Sequence, residues 1–256
     1  SWPQRPPVQM WLKRSSLMSA RLWPRPKPTG TVGEQWLRSW LIVRAAGGRG
    51  RDHSPCDRLL GAHCCPWRSD VIIGAMPNMT LHFINARHQL SGIKDWLTDS
   101  LGTAFAASAA LLPLGDTDVI ITGGNRVIPE KGHLGYAPEK GVIYVTVDPD
   151  HASLRANPDQ SLERMLAHEL HHCSRWDGPG YGTTLGETLI SEGLAGHFAQ
   201  EVFNWQPEPW ESVETSVLRP HVPRAREEWN NARYGHEEWF FGSAALPRWL
   251  GYSLGY

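Results

Sequence analysis

The sequence predicts an α+β protein, with a small mixed sheet packed on one long helix and a mostly helical C-terminal part after it. Three observations predict this. Val142 to Val147 all favour extended backbone, and Asp148-Pro149-Asp150 ends the run. The segment from Pro158 to Cys173 repeats Leu162, Met165, Leu166, Leu170 and Cys173 at helical spacing. Beyond residue 204, short Trp-rich stretches of helical character are broken by Pro207, Pro209, Pro220 and Pro223.

Taken from the start, the chain of 256 residues has two compositional parts. Residues 1–78 carry 12 Lys/Arg against 4 Asp/Glu, whereas the remainder carries 13 against 22. The first part holds 6 of the 13 Trp and shows no sustained period of helix or strand. It is expected to be a disordered or non-native N-terminal extension. The natural start is expected at Met79, with Met76 as its neighbour, because regular, acidic sequence begins there. Basic charge without a stripe argues against a nucleic-acid arm. Cys56, His63, Cys64 and Cys65 lack the paired spacing of zinc modules. With only Cys173 in the second part, there is no disulfide framework to read. No stretch approaches the ~20 apolar residues of a membrane span, and the expected setting is cytoplasmic.

Within 79–256, the spacing of Ile93, Trp96, Leu97, Leu101 and Phe105 predicts a helix from Ile93 to Ala110. Strands are expected at Asp118 to Thr122, at Arg126 to Pro129 and at Gly141 to Val147. The helix after them has Asn157 as its expected N-cap, Pro158 at its first position and Asp159 in its first turn. A second helix is expected from Thr184 to Phe203, after the break at Gly178-Pro179-Gly180.

The first of these two helices carries His168-Glu169-Leu170-His171-His172. His168 and His172, four apart, leave one helix face together and can bind one metal ion. They lie about 120° from the centre of the apolar stripe, so one face packs while another holds metal. Glu169 can reach a water on that ion without being a ligand itself. Two imidazoles and a carboxylate suit Zn2+, one ion per chain, with a position left open. With 12 His in the chain, a chance match to this pattern is expected in about 3% of such sequences.

A third ligand is required, and Glu192, 20 residues after His172, is the best candidate. Small neighbours, Gly193, Ala195 and Gly196, would let its helix approach the metal helix closely despite their cost in propensity. Glu187 ranks second, on another face, and Asp177 lies in an expected loop. The metzincin spacing is excluded, because Arg175 and Gly178 stand where a Gly and the third ligand belong. His171 is expected at the surface or behind the ligands, Cys173 in the core, and His197 either behind the ligands or exposed.

These residues resemble the gluzincins, zinc peptidases whose third ligand is a Glu on the next helix. More narrowly, Leu166 to His172 followed by Glu192-Gly193-Leu194-Ala195, and the ending Pro247 to Tyr256, resemble a bacterial family of predicted zinc-dependent proteases catalogued as a domain of unknown function. The resemblance covers roughly Met79 to Tyr256. It implies a zincin-like fold, zinc ligands at His168, His172 and Glu192, and Glu169 as general base. Two departures stand out: Gly196 occupies the place where thermolysin-like enzymes carry an Asp that orients a ligand His, and the chain stops where the family continues, so the C-terminus is expected to be truncated.

The expected reaction is hydrolysis of a peptide bond in a peptide or protein substrate, with no nucleic-acid or membrane partner. The strand Gly141 to Val147 is expected to be the edge along which substrate lies. Tyr181, His236 and Tyr252 are candidate oxyanion donors. Two alternatives remain: a non-catalytic zinc-binding regulatory or partner-binding module, and a zinc amidohydrolase acting on a non-peptide substrate.

Overall fold

The computed structural model describes residues 77–256 apart from Pro158. The expected extension, residues 1–78, therefore lies outside the described residues but for Pro77 and Asn78, and so does the expected first helical position, Pro158.

Strand β1 (Met79–Ile84) and strand β2 (Thr117–Gly123) pair in parallel, so a crossover must join them. Helix α1 (Lys94–Ala109) supplies it. After β2 come β3 (His133–Glu139) and β4 (Val142–Val147), a hairpin in which β4 pairs in parallel with β2 and antiparallel with β3. The resulting order is β1-β2-β4-β3, a mixed sheet as expected.

Alternation along the strands decides which face is covered. Val119 and Ile121 of β2 and Ile143, Val145 and Val147 of β4 are buried, while Thr80, His82, Asp118 and Tyr144 point to solvent. Onto the buried face pack Leu97, Leu101 and Phe105 of α1, and Leu162, Leu166, Leu170 and Cys173 of helix α3 (Ser161–Trp176). The two apolar stripes read from the sequence thus meet in one core. Cys173 belongs to it, and burial pushes its thiol up to about 12.

Two strand expectations need correction. Arg126 to Pro129 is a loop, and the partner of β4 is instead His133–Glu139. Consequently β4 is an inner strand, and the edge beside α3 is β3. Gly135 and Pro138 weaken the intrinsic strand propensity of β3, and pairing with β4 overrides that weakness.

The start of α3 is also different. A short helix α2 (Ala152–Ala156) precedes it, and Asn157 closes that helix in a left-handed conformation. Asn157 nonetheless serves α3 from a turn away: its Oδ1 accepts from Leu162 N at 3.2 Å and its Nδ2 donates to Glu163 at 2.8 Å. The N-cap position itself is Gln160.

Helix α4 (Leu185–Phe203) begins where expected, through a capping box in which Thr184 accepts from Glu187 N and Glu187 returns the bond. Beyond it, α5 (Thr215–Leu218), α6 (Val222–Glu227), α7 (His236–Phe241) and α8 (Leu250–Gly255) build a second core. Leu185 and Leu189 of α4, Trp239, Phe240 and Leu250 are its centre. Helix α8 crosses α4 at backbone contact, since a Cβ on Gly193 would lie 1.9 Å from Gly255 O. Among the described residues no helix is long and apolar enough to cross a membrane.

His133 gives this frame a pH dependence. It is 1% exposed and its Nε2 lies 2.9 Å from Ser161 Oγ, tying β3 to the start of α3. Burial, reinforced by the Lys131 charge, lowers its pKa from 6.5 to about 3. The imidazole is thus held neutral in the fold and takes up a proton on unfolding. Its contribution is fully present above about pH 6.5 and is lost as pH falls toward 3, at about 1.4 kcal/mol per pH unit. Between pH 6.5 and 5, unfolding free energies of wild type are expected to fall more steeply than those of His133→Gln. Parallel slopes would contradict this.

Candidate metal centre

Helix α3 presents His168 and His172 on the side facing α4, and α4 presents Glu192 back to them. His168 Nε2 lies 3.0 Å from Glu192 Oε2 and 3.0 Å from His172 Nε2, and His172 Nε2 lies 3.5 Å from the same carboxylate oxygen. All three expected ligands therefore converge on one point.

Their spacing fits zinc. Ligand atoms held at about 2.0–2.2 Å in a tetrahedron lie about 3.3 Å apart, and the observed separations straddle that value. The electrostatics agree. Burial alone would lower His168, but the hydrogen bond and charge of Glu192 outweigh it and hold the imidazole at about 9. Burial likewise opposes ionisation of Glu192, yet the two histidines hold it well below the carboxylate range. The point between these groups favours positive charge.

Two of the three expected ligands are held from behind. Ser191 Oγ lies 3.4 Å from His172 Nδ1, which orients that ring. The Tyr181 hydroxyl donates to Glu192 Oε1, and its ring packs against His172 with centroids 5.1 Å apart. Ser191 was not expected at the site, and Tyr181 was expected only as a candidate oxyanion donor. Adjacency of Ser191 to Glu192 was the available signal for the former. The Tyr181 contact depends on how the loop folds back and left no signal.

Glu169 sits beside the three ligands, almost entirely buried, and burial raises its pKa. Its neighbour is the β3 backbone at Gly135, where a Cβ would lie 2.6 Å from Glu169 Cγ and 2.9 Å from Oε1. Only a glycine lets the edge strand come this close to the carboxylate.

The other acids and histidines separate from this group. Glu187 is engaged by the capping box, its Oε2 accepting from Thr183 N at 2.8 Å and Thr184 N at 3.0 Å. Asp177 pairs with Lys140. His171, expected at the surface or behind the ligands, has a buried Nδ1 and faces Phe198 with centroids 5.6 Å apart. His197 is exposed, stacks on Tyr256 and bonds its carbonyl at 2.7 Å.

Two of the three small residues expected to face the α3 helix, Gly193 and Gly196, serve other neighbours. Gly193 admits α8, and Gly196 admits Glu211, whose Oε1 would lie 2.4 Å from a Cβ there. A carboxylate from a different segment thus stands beside the position that carries an Asp in thermolysin-like enzymes.

Of the three candidate oxyanion donors, Tyr181 is committed to Glu192 and His236 Nδ1 lies 3.2 Å from the Tyr234 hydroxyl. Tyr252 instead lines a cavity of about 70 Å³ together with His168 and Glu169.

Uncharacterized protein YjfC of Bacillus subtilis (strain 168) is 31% identical to this chain over 94 residues, which are 35% of this chain and 30% of that protein. The chain therefore spans less than a third of that relative's length by the matched segment. No solved structure matches the chain. The sequence model of a family described as "Predicted Zn-dependent protease (DUF2268)" matches residues 98–256, which takes in α3, α4 and all three expected ligands. That match covers more than half of the sequence, and the chain belongs to this family of predicted zinc-dependent proteases.

Proposed function

We propose that this protein is a zinc peptidase of the Glu-ligand type that hydrolyses peptide bonds, with His168, His172 and Glu192 holding one ion and Glu169 as the general base. The observation that carries the reading is the placement of a buried, unligated carboxylate, Glu169, beside three converging ligands. A purely structural zinc site has no use for such a group and closes its fourth position with a protein ligand.

A zinc ion held by His168, His172 and Glu192 would supply a water of lowered pKa, about 7, and polarise a carbonyl. Glu169 then has a proton to accept and, after attack, a leaving amine to return it to. The outer edge of β3 offers backbone groups to an extended substrate, and Gly135 lets that substrate pass close to Glu169. Burial keeps the Tyr252 hydroxyl protonated, with its pKa well above the ordinary value, so it is available to donate to a developing oxyanion.

The test is a peptide-library digest with the full chain. Cleavage is expected, abolished by 1,10-phenanthroline and restored by added zinc. Bound zinc without cleavage of any peptide would overturn the peptidase reading in favour of a binding module or a non-peptide amide substrate.

A further inference from the structure

The cavity that opens beside His168 and Glu169 is walled by Trp210, Phe241, Trp249 and Tyr252. These rings adjoin one another: Trp249 has centroid distances of 6.0 Å to Trp210, 5.8 Å to Phe241 and 5.8 Å to Tyr252. Such walls accept an apolar stem or the face of a cation.

The charges along this cavity do not cancel. Arg164 Nη1 lies 3.0 Å from Glu208 Oε1, and Lys131 lies 2.9 Å from Glu208 Oε2 and 2.6 Å from Asp159. Arg248, over the Trp249 ring at 4.0 Å, is paired with Glu130 at 2.9 Å. These three cations all have carboxylate partners. Glu211 forms no ion pair among the described residues, although its charge acts on the His168 imidazole that lines the same cavity. Glu211 is 8% exposed, its Oε2 accepts only from Glu208 N at 2.8 Å, and no donor of the described residues reaches Oε1. A buried carboxylate without a cation is costly unless a ligand supplies one.

We infer that this cavity binds a cationic group of the substrate, whose charge meets the Glu211 carboxylate while its stem lies against the aromatic walls. The inference deepens the peptidase reading and rests on it. An acidic group would be repelled there, and a neutral aliphatic one would leave the carboxylate buried without a partner. Glu211 Oε1 abuts Gly196, one helical turn beyond Glu192, so the cation lies within a residue or so of the scissile bond. Two parts of a peptide carry such a charge at that distance, namely a Lys or Arg side chain and a free amino terminus.

The test uses the full, zinc-loaded chain carrying Glu169→Gln, so that peptides bind without turnover. Hexapeptides carrying Lys, norleucine or Glu at each position in turn, free or N-acetylated, are titrated by calorimetry. Lys at one position is expected to bind about tenfold more tightly than norleucine, with Glu weaker still. Adding Glu211→Gln should erase that preference. Loss of affinity on acetylation, rather than on replacing Lys, would assign the cation to the amino terminus. Equal binding of Lys and norleucine peptides with no effect of acetylation would overturn the inference without reference to any variant, as would a preference undiminished by Glu211→Gln. Cleavage by wild type is read separately: peptides bound with the basic preference yet never cut would defeat the peptidase reading alone.

Discussion

Glu169→Gln is expected to lower kcat by a factor of about 10² to 10⁴ while zinc content stays that of wild type. Gln has the same shape, so the contact with β3 at Gly135 is preserved. It cannot accept a proton, however, and the proposed ligands His168, His172 and Glu192 are untouched. Loss of zinc from the variant would make Glu169 a supporting residue of the metal site. Unchanged kcat would remove it from the chemistry altogether.

Glu192→Ala is expected to release zinc far more readily than Glu187→Ala. Glu192 Oε2 faces both histidines, and its removal leaves two imidazoles and a Tyr181 hydroxyl without the carboxylate they surround. Losing a group that only supports a ligand costs about 10 to 100-fold in metal affinity, and losing the ligand should cost more. Glu187, in contrast, closes a capping box at the start of α4. Its alanine variant should keep zinc affinity and lose about 0.3–1.5 kcal/mol of stability. Competition with a chromophoric chelator measures the first quantity and denaturant unfolding the second. The opposite ranking in zinc affinity would refute the ligand assignment.

Much of the metal centre was legible in the sequence because helical geometry fixes it locally. Four-residue spacing alone put His168 and His172 on one face, and the apolar stripe from Leu162 to Cys173 told which face packs. The extent of α4 was legible for a similar reason, since the Thr184 and Glu187 caps lie within the segment they start.

What was not legible depended on partners distant in the chain. Strand β3 has the sequence HLGYAPE, and nothing in its own propensities competes with a loop until β4 pairs with it. That misplaced the sheet edge by one strand. Gly193 and Gly196 correctly signalled a close approach, but sequence does not say by what; their neighbours are Gly255 and Glu211 rather than α3. Asn157 was recognised as a capping residue from its type, while its position one turn early reflects the separate helix α2 before it. The lone carboxylate of Glu211 emerges only once its neighbour Glu208 has found Lys131 and Arg164.

The central claim, that His168, His172 and Glu192 hold a zinc ion, is tested most directly by elemental analysis of the purified protein beside its His168→Ala variant. One zinc per chain is expected in the wild type and less than about a tenth of that in the variant. Wild-type protein that retains no zinc after purification in zinc-containing buffer, or a variant that retains it in full, would contradict the account.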